Sequence, residues 1–448
     1  MAIDRGWLAL ATAMFLLHGA MAQEQAEQIE MRETLAVGQQ YRVSCRATLQ
    51  GMMRLPAEKP GGPTPTLPFA GSSQIDYVER LLELAPDGGI LRTFRVYERM
   101  EFRRRLGEQE QISQLRMQAR RMVIVRRGHL EVPFSPDGPL LWSEIDRVRT
   151  DVFSAALVGL LPTHAVKLGD SWRARTDAVL ELTDLEKVVA GQLECRLERI
   201  IIREGSRLAQ VSFQGVVNGS SEDGPTQHQL SGFFYFDLTK QWLAYLSLQG
   251  KQTLLDSESK PVGELQGQFV LTRQRLSGEP VLSDEALRGL KLVPDEENTR
   301  LLFDEPGLGL SFVYPRRWTV RRADTNQVLL DEPNGGSVAI TLDAPGQVMT
   351  GLQYQQHVEQ WLAKEKATVY RRTVVREVPS AAGRLEHFQY EVGLRSERLI
   401  LDYYAYQHTT GGATLAARTP ASQPGLLADV AVIARSLRRS ASAGLPAR

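Results

Sequence analysis

Through residues 38–276 the dominant period is two, and that one pattern commits more than half of the chain to half-buried antiparallel strands. Tyr41, Val43, Cys45, Ala47 and Leu49 alternate with Arg42, Ser44, Arg46, Thr48 and Gln50, one set for a core and one for water. Similar runs predict strands over 74–84, 90–103, 120–127, 172–182, 194–203, 208–217, 229–238, 243–254 and 264–275, with turn signals such as Pro136-Asp137-Gly138 between them. One helical stretch, 143–161, interrupts the series and stops at Pro162. Gly215, Gly232, Gly250 and Gly267 recur every 17 or 18 residues, each near the middle of a predicted strand. Glycine weakens a strand, so four in series mark places where the sheet must bend, and the expected shape is half-barrel-like. Residues 55–68 hold five prolines and two glycines and read as an extended loop that no central strand would tolerate.

Four hundred and forty-eight residues exceed one ordinary core, which points to more than one domain. Fifty-three basic residues balance fifty-three acidic ones, removing the bulk electrostatic case for a nucleic-acid binder. The start of the chain reads as a secretory signal peptide spanning 1–22. Arg5 is followed by an eleven-residue apolar stretch, 7–17, broken only by Thr12 and too short to cross a membrane as a helix, and then by Ala20-Met21-Ala22, an A-x-A cleavage site. No later stretch approaches a membrane-spanning length, so the mature chain is expected outside the cytoplasm, with no transmembrane segment, after cleavage near Ala22.

Strand alternation fades after residue 276, and 277–299 reads as an acidic, partly helical linker. Beyond it, short strands (310–314, 327–331, 337–342), an amphipathic helix (351–368), long strands (369–378, 383–392, 398–407, 413–417) and a closing helix (424–437) make an α+β sandwich. Within this part Gly309-Leu310-Ser311-Phe312-Val313-Tyr314-Pro315-Arg316-Arg317-Trp318 resembles the opening motif of PsbP-like domains. The likeness covers residues 300–438 and implies a fold but no catalytic residue. The part before it resembles uncharacterised secreted bacterial proteins that share Pro162-x3-Val166-x2-Gly169-Asp170-x-Trp172. Its curved sheet is also similar, at the level of fold alone, to carriers that hold a lipid or lipoprotein. The expected class is therefore α+β: a large curved antiparallel sheet with one or two helices over 30–276, a linker, a PsbP-like domain over 300–438, and a disordered tail at 439–448.

Catalytic and cofactor motifs are absent from the sequence, so neither a cofactor nor a metal is expected. Ser257-Glu258-Ser259-Lys260 matches S-x-x-K without its partner motifs. Glu144 with Asp146, and Asp184 with Glu186, are carboxylate pairs suited to hydrolysis only across a groove. Eleven arginines within residues 92–127 face four glutamates. Among them Arg99, Arg103, Arg105, Arg120 and Arg121 are the candidate anion-binding face, for an envelope protein, a lipid headgroup or an anionic polysaccharide. The competing reading is an edge hairpin kept soluble by charge. Cys45 and Cys195 both fall on inward positions, as inert thiols or, in an oxidising compartment, as a disulfide. The function expected is exported, non-catalytic binding or envelope assembly. Carriage of an apolar ligand in the curved sheet is the alternative, and hydrolysis by paired carboxylates stands third.

Overall fold

The computed structural model describes residues 27–55, 64–86, 88–127, 130–221 and 224–440. The expected signal peptide, most of the proline-rich loop and the tail from 441 lie outside the described residues.

The first part is a twelve-stranded, wholly antiparallel open sheet. In chain order its strands, together with a short β7 that serves another sheet, are β1 (Gln40–Arg54), β2 (Thr66–Leu84), β3 (Ile90–Leu106), β4 (Gln109–Gln114), β5 (Arg121–Arg127), β6 (Leu130–Phe134), β7 (Leu140–Leu141), β8 (Ser171–Arg173), β9 (Lys187–Arg203), β10 (Ser206–Ser221), β11 (Gly224–Asp237), β12 (Trp242–Leu255) and β13 (Pro261–Leu276). The spatial order is β6-β5-β3-β2-β1-β13-β12-β11-β10-β9-β8, with β4 on β3. Two meanders thus run outward from the central pairing of β1 with β13. Tight hairpins hold the register: Glu204 and Gly205, both at positive φ, make the two-residue turn between β9 and β10.

One face of this sheet is buried by the chain itself. Ile29 and Met31, helix α1 (Trp142–Arg149), a 3-10 turn (Ala156–Leu160) and helix α2 (Thr176–Thr183) cover Tyr41, Val43, Cys45, Tyr77, Tyr97, Val211 and Phe234. We call this the inner face. The recurrent glycines all lie on it, and little beyond hydrogen fits there. A Cβ on Gly215 would stand 2.0 Å from the carbonyl oxygen of Gln192, and one on Gly232 2.2 Å from that of Ser247. Gly51 and Gly191 extend the line, each 2.0 Å from a neighbouring carbonyl by the same measure.

Several expectations need correction. Residues 172–182 are not a strand: β8 stops at Arg173 and α2 follows. Ala178 and Val179 are adjacent and both buried, which a strand with one buried face cannot arrange and a helix can. The expected helix 143–161 breaks after Arg149, because Asp151 and Ser154 turn inward to buried partners. Thr66–Pro68 belong to β2, and Pro68 is tolerated one residue beyond the start of the β2–β3 ladder at Phe69.

The remaining strands are β14 (Leu301–Glu305), β15 (Leu310–Tyr314), β16 (Thr319–Ala323), β17 (Gln327–Asp331), β18 (Ser337–Asp343), β19 (Thr368–Arg372), β20 (Arg376–Val378), β21 (Arg384–Leu394), β22 (Glu397–His408), β23 (Gly411–Pro420) and β24 (Arg438–Arg439). Eight of them form an antiparallel sheet, β16-β17-β18-β23-β22-β21-β19 with β20 on β21. Helix α3 (Asp284–Leu287) precedes them, α4 (Gly351–Lys364) packs on Phe388, Tyr390 and Tyr403, and α5 (Leu426–Arg435) packs on Tyr404, Tyr406 and Leu415. The Pro-x-x-Trp corner has a clear role: β15 ends before Pro315, and buried Trp318 donates from Nε1 to Asp429 of α5 at 2.7 Å. The small sheet β24-β15-β14-β7 joins the two parts, since β7 pairs in parallel with β14.

Residues 280–292 lie on the opposite, outer face of the large sheet. Leu282 and Leu287 are buried against Val78, Phe94, Val123 and Phe134. The apolar end of the outer face is therefore covered by the chain's own connecting segment.

Candidate functional site

Among the described residues, uncovered outer face remains on β3, β2, β1, β13, β12 and β11, and most outward positions there are polar. Register aligns them into rows that cross the strands. One row runs Arg103, Ser72, Thr48, Gln268, Gln249, Ser231 and Gln214. A second runs Arg105, Ala70, Gln50, Gln266, Lys251 and Gln229. These rows frame two grooves that share Thr48. One of about 450 Å³ is lined by Gln50, Gln229, Gln249, Gln266, Gln268 and Lys251. The other, of about 540 Å³, is lined by Arg46, Gln74, Arg99, Glu101 and Arg103.

Two to four residues along β11 and β12 from the first row, the outer face turns aromatic. Phe233, Tyr235 and Tyr245 are half-buried on the outer face and form a triangle with ring centroids 5.4–5.8 Å apart. Most groove cations are already paired: Arg46 with Asp76 at 2.9 Å, Arg103 with Glu101 at 2.7 Å, Lys251 with Glu264 at 2.7 Å. Burial alone would raise the Asp76 carboxyl, but hydrogen bonds from Arg46, Ser44 and Gln74 outweigh it and hold it below the usual range. By contrast, the amides of Gln50, Gln229, Gln249 and Gln268 make no hydrogen bond among the described residues.

The five candidate arginines are thus only partly gathered. Arg99, Arg103 and Arg105 share the outer face of β3 at spacings of four and two, and a bulge between the Asp76 and Tyr77 pairings sets that phase. Arg120 and Arg121 stand apart, beyond β4 and a 3-10 turn, and Arg121 is held by Asp137 through Nε at 2.7 Å. Arg95 leaves the surface charge altogether, and part-exposed Arg116 is committed to a buried carboxylate. Arg116 grips buried Glu144 through two bonds of 2.7 Å, which makes that carboxylate a helix anchor. Ser257–Lys260 form the exposed β12–β13 hairpin, with Lys260 paired to Glu258.

The inner face holds charge of another kind. Arg95, 1% exposed, bonds Glu79 at 3.2 Å and Asp151 at 3.1 Å and lies over the Tyr77 ring. Arg273 bonds Glu33 at 2.5 Å and covers Tyr41. Burial pushes the carboxyls of Glu131 and Asp151 up to about 7. Cys45 and Cys195 are buried and unbridged, correcting the disulfide alternative; four strands separate β1 from β9. Burial raises both thiols, Cys195 to about 12.

In the second part buried His387 meets Asp402 at 2.6 Å, and Gln389 and Tyr404 also donate to Asp402. Among the described residues no serine, threonine or cysteine bonds His387, and no group of three or more His, Cys, Asp or Glu is placed to hold a metal. No helix of the described residues is long and apolar enough to cross a membrane.

No family model matches the chain, and no curated protein does. Among solved structures, the cyanobacterial PsbP protein of Synechocystis matches 35% of this chain and 99% of its own, with 11% identity and a TM-score of 0.25. MucB, solved in complex with periplasmic MucA, aligns over 89% of this chain and 94% of its own, with 12% identity and a TM-score of 0.14. The translocator domain of the autotransporter NalP from Neisseria meningitidis aligns over 92% of this chain and 95% of its own, with 8% identity and a TM-score of 0.12. None reaches a TM-score from which a shared fold follows.

Proposed function

We propose that this chain is an exported, two-domain binding protein of the cell envelope, a half-barrel-like domain followed by a PsbP-like one, and that it engages its partner through the outer face of the large sheet. The observation that supports this reading is the set of free polar side chains in the paired grooves, on a face whose apolar end the chain covers itself. Exposed side chains are ordinarily free to bond water; here they are aligned across six strands along two grooves, where a partner gains more contact than on a flat surface. Filling of the inner face by residues 29–31 and 140–183 favours this reading over carriage of an apolar ligand.

Site-specific photo-crosslinkers at Gln249 and Gln268, with a control at Lys260, test it in the native envelope. Adducts from the groove positions and none from the control are expected. Adducts from the control alone would overturn the outer-face reading. N-terminal sequencing of the exported form should begin near Gln23, and retention of Met1–Ala22 would refute export by cleavage.

A further inference from the structure

We infer that the occupant of the outer grooves is a neutral polysaccharide, lying across the strands with its hydroxyls on the glutamine rows and a ring against the Phe233–Tyr235–Tyr245 triangle. This rests on the outer-face reading above and names its ligand.

The chemistry of the lining selects the class. Every backbone group in the middle of a sheet is spent on its neighbours, so recognition falls to side chains. A sugar hydroxyl both donates and accepts, and so does a carboxamide, with two donors and two acceptor sites at the end of one side chain. Gln50, Gln229, Gln249, Gln266 and Gln268 lie on neighbouring strands about 4.8 Å apart, in rows about 7 Å apart, which suits a chain of repeating diols. A polyanion would need uncommitted cations. In these grooves Arg46, Arg103 and Lys251 already face Asp76, Glu101 and Glu264, and Arg99 alone has no ion pair among the described residues, so a polyanion would meet one uncommitted cation and would otherwise have to displace carboxylates that lie alongside. A peptide strand takes its affinity from a sheet edge, and this site is a sheet face. The aromatic triangle supplies an apolar surface with hydroxyl tips, suited to the C–H face of a pyranose ring.

Affinity electrophoresis of the mature full-length chain decides it. The gels carry dextran, hydroxyethyl cellulose or galactomannan as neutral probes, and polygalacturonate or heparin as anionic ones. Retardation by at least one neutral polymer is expected, weakened at least fivefold by the double variant Gln249→Ala/Gln268→Ala and by Tyr245→Ala, with unchanged circular dichroism. The glutamine variant keeps the test valid if Tyr245→Ala disturbs the sheet. Retardation by anionic gels alone, lost in Arg99→Gln/Arg103→Gln, would overturn the neutral ligand and leave the outer-face reading standing. Retardation indifferent to every groove variant would overturn both. No retardation in any gel would overturn the inference, and crosslinking from Gln249 would then judge the outer-face reading alone.

Discussion

The inner and outer faces of the large sheet carry charge in opposite ways. Inside, Arg95 and Arg273 are each 1% exposed and fully enclosed by carboxylates and rings, so their bonds are fixed and serve to attach the covering segments to the sheet. Outside, Arg46 and Arg103 pair in solvent, beside amides that bond nothing among the described residues. One alternating pattern produces both faces. What separates them is whether the chain comes back to cover the residues: Asp151 returns to Arg95 and Glu33 returns to Arg273, whereas among the described residues nothing returns to Gln249.

The comparison breaks most sharply at Arg95. Arg95→Met leaves Glu79 and Asp151 buried without their cation, and removal of one partner of a buried pair costs about 3–5 kcal/mol. Urea denaturation should show that loss, while Arg103→Met on the outer face leaves the midpoint in place. Equal midpoints for Arg95→Met and the wild type would mean that the inner network holds nothing together.

Acidity gives the next contrast. Glu131 keeps Oε1 buried without a hydrogen-bond partner among the described residues, near Arg95, Arg126, Asp151 and Glu181, and burial lifts its carboxyl from 4.5 to about 7. A raised carboxyl pKa means that the folded state retains a proton which the unfolded chain has released. Its stabilising effect is complete below about 4.5 and is lost as pH rises to about 7, a change on the order of 3 kcal/mol for this group. Denaturation at pH 5 and pH 8 should therefore find the protein more stable at pH 5. Glu131→Gln should reduce the difference but not abolish it, since burial also lifts Asp151 to about 7, and an unchanged pH dependence in that variant would assign it elsewhere.

A smaller effect separates the faces sterically. Gly215→Ala places a methyl on the inner face against the Gln192 carbonyl and should cost about 1–3 kcal/mol, whereas Ser231→Ala on the adjacent strand's outer face should change little. Parity between the two variants in thermal melts would show that the sheet relaxes around the added carbon.

That glycine line was legible in the sequence, because a repeat of 17 or 18 residues survives translation into neighbouring strands. So were β15 and β17, where short apolar alternation has clear turn boundaries. Helix α2 was not legible as a helix, since Trp172, Ala174 and Ala178 mimic alternation and only tertiary burial of Ala178 beside Val179 exposes the helical phase. Of the candidate site, the Arg99–Arg103–Arg105 stripe was visible because residues two apart on a strand share a face. The glutamine rows were not, because Gln50, Gln249 and Gln268 are far apart in sequence and meet only through register. The pairing of Arg121 with Asp137 was not visible either, because Asp137 reaches it through a turn that alternation does not describe.

The smallest expected effect lies at Asp76, where the outer face should reverse the sign seen at Glu131. Arg46 at 2.9 Å, Ser44 at 2.7 Å and Gln74 at 3.2 Å all donate to its carboxylate and hold its pKa below 3.8. A depressed pKa contributes stability above the unfolded value, and that contribution is lost as pH falls through the folded one. Arg46 is 43% exposed, so solvent screens the pair and the contribution should stay below about 1 kcal/mol. Asp76→Asn removes the ionising group but leaves a side chain that still accepts from Ser44. Acid titration of stability from pH 5 to pH 2 should therefore show a slightly shallower loss in the variant than in the wild type, with no difference between them from pH 5 to pH 8. A difference that appeared only on the alkaline side would place Asp76 with the enclosed carboxylates, and the division between the two faces would fail at that residue.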